Sequence, residues 1–400
     1  MRICMFNNLF PPVKSGSSHF TQMLSRNLVD RGHHVTVVTA RLPNTALYEE
    51  VDGIAVHRLP CLLLPALEIA HGFKYLSYTL LPGALRRVLD LSAQMDVLHQ
   101  HGQIFDTALL SAYAAKRLRK PLLTTIHTPV HHTQATYLKI LAALDKTAVR
   151  HLIAKHADVL IAPDQTVVDN IAERYQHPWV ERIPYGIAPV QTTQEGADRV
   201  RARFQLGDRP VIVSLGHVHN LRDRCDLIGA MPQILRAVPG AHLLIVGDVL
   251  TPKPQALVDS LGLREHVTLA GGAPHHEVAD YLSAATIEAH WLNETPGLGI
   301  AAMEAMSAGK AVVSSIGPDD LGTGLLRDGE NIRLIQPGST DSIARAVIPL
   351  LCDPALRQRI GEAGQRLILD HFSWDSVTTQ QEQLYDRVVA RHAESSRYPT

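Results

Sequence analysis

The stretch from Asn293 to Gly309 reads NETPGLGIAAMEAMSAG and joins a Pro/Gly loop to a short Ala-rich helix that ends at Gly309. Two small residues, Gly297 and Gly299, let a ligand approach the backbone closely. The first amide groups of a helix have no partner inside the helix, so they favour a phosphate group. Glu304 follows about one turn later, where a carboxylate accepts hydrogen bonds from ribose hydroxyls. The pattern therefore predicts a bound nucleotide diphosphate; the alternative is a capped amphipathic helix with Glu304 in solvent.

Length and composition limit the class of protein. A chain of 400 residues predicts two or three domains, and its composition is that of a globular protein close to neutral charge. Residues 1–188 carry a small surplus of basic side chains, which suits a phosphorylated acceptor or an anionic membrane surface but is more often plain solvated surface. No basic run interleaved with aromatic residues occurs, so no nucleic acid partner is expected. Scattered cysteines and the lack of a long apolar run predict a cytoplasmic chain without a spanning helix.

The chain begins with a βαβ unit. A strand over Arg2–Phe6, a helix that ends near Arg31 and a strand over Val35–Thr39 predict a parallel sheet with right-handed crossovers. Ligands on such sheets bind beyond the carboxyl ends of the strands, which is where the loop with Ser15 and Gly16 lies. Because this loop has no GxGxxG pattern, a dinucleotide dehydrogenase is disfavoured.

Several histidines follow later strands of the first half. His99 and His101 lie on one face at the end of a strand, and no further ligands are indicated, so we interpret them as pocket or core residues rather than as a metal site. His127 follows another buried strand and therefore lies on the rim where ligands bind, although a lone histidine is more often structural. The nearby His131 and His132 are candidates for the acceptor side.

Two further segments bear on organisation. Residues 54–89 are apolar with interspersed basic side chains; this indicates either a membrane-surface or lipid-acceptor edge, or ordinary strand and helix packing interrupted by prolines. The polar stretch from Gln191 to Gly196 lacks apolar periodicity and marks a domain boundary nearby. From Pro210 onward the α/β pattern begins again, so the two halves predict two Rossmann-like domains.

The segment from Pro296 to Gly309, followed by residues 310–315, resembles the acidic signature of retaining family 4 (group 1) glycosyltransferases, which have the GT-B fold. In that family two glutamates flank a seven-residue spacer; the first contacts the donor sugar and the second the ribose of the nucleotide. Glu304 matches the second glutamate. Pro296 occupies the position of the first, and Glu294 is the nearest acid that can replace it.

The resemblance covers nearly the whole chain and implies its architecture. The fold class is α/β, with two Rossmann-like domains whose parallel sheets face each other across a cleft. Residues 1–188 form the acceptor-binding domain, and residues 189–377 form the domain that binds the nucleotide sugar. The last helix and tail, residues 378–400, cross back to the first domain.

The resemblance also implies the site residues. The expected catalytic residues are His127 beside the reacting sugar, Arg222 on the diphosphate and Glu294. Arg222 stands where the family has a phosphate-binding lysine, and a guanidinium retains the charge and grips a diphosphate bidentately. The expected donor-binding residues are Gly16, His217, Arg222, Gly271, Gly297, Leu298, Gly299, Ile300 and Glu304. The expected acceptor-binding residues are Ser15, His101, His131 and His132.

The resemblance therefore implies a retaining glycosyltransferase that moves a sugar from a nucleotide-diphosphate sugar to a hydroxyl of a small-molecule or lipid-linked acceptor. UDP is slightly favoured over GDP, no cofactor is expected, and membrane contact is at most peripheral, at the inner membrane surface. The sequence contains no Asp-x-Asp, the motif that holds the metal in GT-A enzymes, which predicts a metal-independent reaction. Two alternatives are a nucleotide-sugar 2-epimerase of the same fold and a non-catalytic sugar-nucleotide-binding protein; the departures at Pro296, His217 and Ser15 motivate the second.

Overall fold

The structure, a computed structural model, describes residues 1–13, 15–65, 75–104, 106–130, 135–218, 223–290, 298–317, 321 and 324–397. The chain divides into two compact units: Met1–Gly186 together with Trp374–Thr400, and Ile187–Ser373. Each unit is built on a parallel sheet flanked by helices. The prediction of two Rossmann-like α/β domains is therefore confirmed.

The first unit is organised around one large sheet. Its strands are β1 (Arg2–Phe6), β2 (His34–Ala40), β3 (Tyr48–Val51), β4 (Ile54–Leu59), β5 (Leu62–Pro65), β6 (Tyr75–Tyr78), β7 (Val97–His101), β8 (Leu122–Thr125), β9 (Val159–Ala162) and β10 (Val180–Arg182). The strand order in the main sheet is β10-β9-β8-β7-β1-β2-β4-β3, and β5 and β6 form a separate antiparallel pair. All neighbours in the main sheet are parallel except β3, which runs antiparallel to β4.

Helices cover both faces of this sheet. They are α1 (Gly16–Asp30), α2 (Ala84–Ala93), α3 (Asp106–Leu118), α4 (Ala135–Leu144), α5 (Arg150–Leu152) and α6 (Gln165–Arg174). A π-helical segment, Asp145–Val149, connects α4 to α5, and a 3-10 turn, Ala154–His156, follows α5. Residues 135–156 therefore form several short helical segments rather than one long helix.

The first helix shows how the sequence sets these boundaries. The hydroxyl of Ser15 caps α1 by accepting a hydrogen bond from the amide of Ser18 at 3.1 Å. Phe20, Leu24 and Leu28 recur at helical spacing and are buried against the sheet. The loop of Ser15, where α1 begins, therefore lies at the carboxyl ends of the strands.

The second unit repeats the scheme. Its helices are α7 (Gln194–Arg203), α8 (Cys225–Ala237), α9 (Lys253–Ser260), α10 (Val278–Ala284), α11 (Gly299–Ser307), α12 (Thr340–Cys352) and α13 (Pro354–Phe372). Its strands are β11 (Val211–Leu215), β12 (His242–Val246), β13 (Val267–Gly271), β14 (Ile287–His290), β15 (Val312–Ser314) and β16 (Arg333–Leu334). They form one parallel sheet in the order β13-β12-β11-β14-β15-β16.

The last helix, α14 (Trp374–Arg397), belongs to the first unit, as predicted. Leu384, Tyr385 and Val388 of α14 are buried in the same core as Met5 of β1. Ion pairs between Arg31 and the carboxylates of Asp375 and Glu382 accompany this apolar contact. The first unit is thus assembled from both ends of the chain.

Each sheet has a point where the strand order changes direction. In the first unit β1 lies between β7 and β2, and in the second β11 lies between β12 and β14. The loops that follow β1 and β7 leave their sheet towards opposite sides, as do those that follow β11 and β14, and this leaves room for a ligand beyond the carboxyl ends.

Candidate active site

Two asparagines build the rim of the first unit. Asn7 and Asn8 directly follow β1, and both side chains are buried. The amide of Asn7 donates to Thr21 Oγ1 of α1 at 2.8 Å, and that of Asn8 donates to Asp106 Oδ1 at the start of α3 at 2.7 Å. The side-chain oxygen Oδ1 of Asn8 accepts hydrogen bonds from the backbone amide and the hydroxyl of Thr107. These contacts fix the starts of α1 and α3 on either side of the β1 carboxyl end.

A row of stacked rings lies beside this rim. The imidazoles of His99 and His101 at the end of β7 have centroids 4.2 Å apart. His127, two residues beyond β8, stacks on His101 at 5.4 Å and on Tyr185 at 5.9 Å. The structure thus brings together two of the predicted site residues, His101 and His127, and adds Tyr185, whose role the sequence did not indicate.

Hydrogen bonds along the row define the protonation of His127. Tyr185 donates its hydroxyl proton to the backbone oxygen of His127 at 3.1 Å, so its oxygen can only accept from His127 Nδ1, 3.2 Å away. Nε2 of the neutral ring then accepts from His101 Nδ1 at 3.3 Å. In this arrangement both ring nitrogens of His127 have partners within the first unit. A direct hydrogen bond between this ring and a sugar would require one ring nitrogen to give up its present partner.

All three histidines are neutral at pH 7. Burial lowers the pKa of His127 to about 4 and that of His99 to about 3, and it holds the pKa of His101 well below its ordinary value. Repulsion between the neighbouring imidazoles lowers the pKa of His99 and His101 further. Nε2 of His101 is buried and has no hydrogen-bond partner among the described residues. His99 is held by the hydroxyls of Tyr385 at 2.7 Å and Thr125 at 2.8 Å.

The first loop is connected to this row through Phe20. The Phe20 ring lies edge-on to His127 at 5.6 Å and to Tyr185 at 5.3 Å. Ser15 uses its hydroxyl as the helix cap, and a side chain at Gly16 would meet no atom within 4 Å. The lack of a side chain at Gly16 is therefore not required by the packing of the chain itself.

In the second unit, glycines follow three neighbouring strands. A Cβ at Gly247, after β12, would lie 2.2 Å from the backbone oxygen of Gly216, after β11. The amide of Gly247 donates to the oxygen of Gly271 at 2.8 Å, and Gly271 has φ +76° at the end of β13. At these glycines the loops therefore approach each other through backbone atoms.

Glu304 lies on the second turn of α11, and its side chain is 11 % exposed. Its Oε1 is 3.4 Å from Nε2 of His275, in the 3-10 turn (His275–Glu277) that follows the loop of Gly271. Burial raises the pKa of Glu304, and the charge of His275 opposes part of that rise. The alternative of a solvated Glu304 is therefore wrong: the carboxylate lies between α11 and the loop after β13.

The other predicted donor residues surround the same rim. Leu298 is buried, Gly299 begins α11 with φ +60°, and Ile300 is half-exposed. His217 is exposed, and its Nδ1 lies 3.4 Å from Asp248 Oδ2 in the loop after β12. Arg224, two residues after the predicted phosphate contact Arg222, is buried. Its guanidinium donates to Ser214 Oγ at 2.8 Å and to the oxygen of Leu215 at 3.0 Å.

Five of the predicted site residues lie outside the described part of the chain. They are Arg222, Glu294, Gly297, His131 and His132. Within the described residues, no group of three or more His, Cys, Asp or Glu side chains is placed to hold a metal ion. None of the helices in that part is both long and apolar enough to span a membrane.

Known families match both halves of the chain. Residues 14–191 match Glycosyltransferase Family 4, and residues 196–367 match Glycosyl transferases group 1. A GDP-mannose-dependent alpha-(1-6)-phosphatidylinositol monomannoside mannosyltransferase of Mycolicibacterium smegmatis is 33% identical over 183 residues, which are 44% of this chain and 47% of that protein. The match thus spans about half the length of this curated relative. An MMP alpha-(1->4)-mannosyltransferase of Mycolicibacterium hassiacum is 24% identical and matches over 98% of this chain and 100% of its own.

Solved structures agree in fold. The Anabaena protein Alr3699/HepE in complex with UDP superposes with a TM-score of 0.72 over 97% of this chain and 100% of its own, at 19% identity. A glycosyltransferase from Rickettsia africae gives a TM-score of 0.73 over 97% of this chain and 98% of its own, at 16% identity. The predicted GT-B fold class is therefore confirmed. With both halves matched by its two characteristic families, the chain belongs to the family 4, group 1 glycosyltransferases.

Proposed function

We propose that the chain is a retaining, metal-independent glycosyltransferase that transfers a sugar from a nucleotide-diphosphate sugar to an acceptor hydroxyl. The observation that carries the proposal is the buried carboxylate of Glu304 beside the loop after β13, one turn into a helix that begins at Gly299. An acceptor for ribose hydroxyls and a helix start suited to a diphosphate then lie on one rim of one sheet. The donor nucleotide is assigned to the second unit.

The acceptor is assigned to the first unit. Its rim carries Ser15, Gly16, His101 and His127, and of these four residues His101 and His127 are buried. We propose that His127 acts on the transferred sugar and that Tyr185 and His101 hold its ring in one tautomer. One relative is a phosphatidylinositol monomannoside mannosyltransferase and another is an MMP alpha-(1->4)-mannosyltransferase, so the acceptor panel should contain lipid-linked and soluble hydroxyl compounds.

For the chemistry we propose a front-face displacement. The bond between the anomeric carbon and the departing phosphate oxygen breaks while the acceptor oxygen forms a bond on the same face. The proton of the acceptor hydroxyl passes to the departing phosphate oxygen. The protein contributes electrostatic stabilisation of the diphosphate, for which Arg222 and the start of α11 are the proposed groups. Detection of a covalent glycosyl-enzyme by intact mass measurement with a slow fluorinated donor would contradict this mechanism.

The test is a donor panel followed by product analysis. UDP-, GDP- and ADP-sugars are screened by thermal shift, because a bound ligand raises stability according to its affinity. The sequence favours UDP, and GDP-mannose is included because the mycobacterial relative depends on it. The best donor is then incubated with the acceptor panel. We expect transfer with the anomeric configuration of the donor retained, as read by NMR, and an unchanged rate with excess EDTA.

Two outcomes would favour other functions. Epimerisation of the donor incubated without acceptor would indicate a nucleotide-sugar 2-epimerase. Tight donor binding without turnover on the whole acceptor panel would indicate a non-catalytic sugar-nucleotide-binding protein. Inversion at the anomeric carbon would contradict the retaining mechanism but not the assignment as a glycosyltransferase.

A further inference from the structure

An apolar groove of about 620 Å³ lies on a helical face of the first unit. Leu85 of α2, Leu109 and Tyr113 of α3, and Leu152 of α5 form its walls. Leu85 is 37 % exposed, Tyr113 49 % and Leu152 53 %. Large apolar side chains of this kind are usually covered in a folded protein when they lie together, so the groove marks a binding surface.

Two lysines and a histidine lie at one end of this groove. Lys116, on the last turn of α3, and His156, in the 3-10 turn after α5, are themselves part of its lining. Lys155 is exposed beside them, and both lysines are close enough to His156 to lower its pKa, after the larger effect of burial. The charged groups that act on His156 are thus both positive. A cluster of this sign attracts an anion.

The cationic end lies at the opposite edge of the sheet from His127. The α3 helix starts at the carboxyl edge, where Asp106 is hydrogen-bonded to Asn8, and it runs back to the amino edge before β8. Lys116 and His156 precede β8 and β9, whereas His127 follows β8. The cationic end of the groove is therefore separate from the rim to which we assign the acceptor. Leu109 and Lys116 are seven residues apart on α3, roughly 10 Å at helical rise.

We propose that this groove is a docking site for an anionic phospholipid at a membrane surface, with an acyl chain along Leu109 and Tyr113 and the phosphate at Lys116 and Lys155. Half-exposed leucines, a tyrosine at the rim and adjacent lysines are the composition that binds the interface of a bilayer. A second copy of the chain fits less well, because a two-fold contact would bring the same cluster of cations face to face.

The experiment is co-sedimentation of the full chain with vesicles, which does not depend on glycosyl transfer. Vesicles of phosphatidylcholine alone are compared with vesicles that also contain phosphatidylglycerol. We expect binding to the anionic vesicles and little to the neutral ones. Lys116→Gln and Lys155→Gln should each weaken partitioning by about fivefold, because a basic residue near an anionic surface contributes about 1 kcal/mol. Leu152→Ser should weaken it by about tenfold.

Matched controls come from the second unit. Arg345→Gln removes an exposed charge and Leu250→Ser an exposed leucine, and neither should change partitioning. Circular dichroism and thermal unfolding check that all variants are folded. The proposal is overturned if the wild-type chain stays in the supernatant, if it binds both vesicle types equally, or if the control changes weaken binding as much as the groove changes. It is also overturned if groove variants instead convert a dimer to a monomer in light scattering without lipid.

Discussion

At the scale of single residues, a substitution at Gly16 distinguishes an effect on packing from an effect on ligand binding. Since no atom lies within 4 Å of a side chain built there, Gly16→Ala should fold normally, and the change favours helix formation at the start of α1. If the loop lies against the diphosphate, the added methyl group should lower kcat/KM by about 100-fold, the loss typical of one phosphate or oxyanion contact. Thermal unfolding and steady-state kinetics with the best donor measure both effects. An unchanged kcat/KM would show that this loop does not contact the donor.

The carboxylate of Glu304 gives a second residue-scale prediction. Glu304→Ala should weaken binding of the nucleoside diphosphate by about 10- to 100-fold, because hydrogen bonds to a charged group contribute about 1.5–3 kcal/mol. Isothermal titration calorimetry measures the Kd. His275→Ala is the matched control, since His275 contacts Glu304 but is itself 80 % exposed; it should have a small effect. An unaltered Kd in Glu304→Ala would remove this residue from the donor site.

Tyr185 gives the third residue-scale prediction. Its hydroxyl oxygen lies 3.2 Å from His127 Nδ1 and its proton goes to the His127 backbone oxygen, so Tyr185→Phe removes both contacts while the ring stack remains. We expect kcat to fall by about tenfold and the donor Kd to stay the same, and nitrogen-15 NMR should show His127 in a mixture of tautomers. Loss of stability with unchanged kcat and tautomer would indicate a structural role only.

The sequence indicated these residues unevenly, for physical reasons. Glu304 and His127 stand out because helix starts and strand ends place side chains on a known rim. Tyr185 lies in a segment between a strand and the domain boundary, and no periodicity describes where such a segment leads. Arg224 is buried at the start of α8 with its guanidinium on Ser214, and a charged residue in a loop has no periodicity from which that burial could be predicted.

At the scale of elements, β7 and β8 carry a prediction about pH. The pKa of His99 is about 3 and that of His127 is about 4, and the pKa of His101 lies well below its ordinary value. In the unfolded chain a histidine has a pKa near 6.5. Below about pH 6.5 the unfolded state binds more protons than the folded one, so stability is full above that pH and is lost as pH falls towards the folded pKa values. Each histidine contributes about 1.4 kcal/mol per pH unit in that window.

The measurement is hydrogen exchange of β7 and β8 peptides between pH 6.5 and 4, corrected for intrinsic rates. His127→Gln should remove about one third of the histidine-dependent slope, whereas His276→Gln, an exposed residue of the second unit, should leave it unchanged. A slope that is the same in wild type and His127→Gln would mean that His127 is already protonated or solvated in the folded state.

Elements of the central sheets were predictable and those at the edges were not. Strands such as β1 and β11 are buried on both faces, so they read as continuous apolar runs with clear ends. The pair β5 and β6 lies apart from the main sheet, and its exposed Leu62 and Leu64 give no alternating pattern. Pro65 does not interrupt a strand but is the last residue of β5. The described part of residues 54–89 forms β4, β5, β6 and the start of α2, which agrees with ordinary strand and helix packing. The membrane-surface alternative enters only through the groove beside α2, for which we propose phospholipid binding.

At the scale of the whole molecule, the two units depend on the chain in different ways. The second unit is continuous from Ile187 to Ser373, whereas the first needs α14 from the end of the chain. The sequence predicts this crossing only through family resemblance, because partners of α14 such as Arg31 and His99 lie 351 and 286 residues away and local pattern carries no information about such contacts.

Removal of α14 tests that dependence. Val377, Leu384, Tyr385 and Val388 are buried against β1 and α1, and at about 1.5 kcal/mol or more each they contribute at least about 6 kcal/mol, comparable to the stability of a whole domain. A chain that ends at Ser373 should therefore lose exchange protection in β1, β7 and β8 and lose transferase activity. Its second unit should remain protected and still bind the nucleoside diphosphate in calorimetry.

The matched control is Glu382→Gln in the full chain. It removes an ion pair with Arg31 and a contact with His33 but no apolar burial, so it should cost only about 1 kcal/mol. If the truncated chain kept β1 protected, the ion pairs and apolar contacts of α14 would be dispensable and the first unit would fold from residues 1–186 alone.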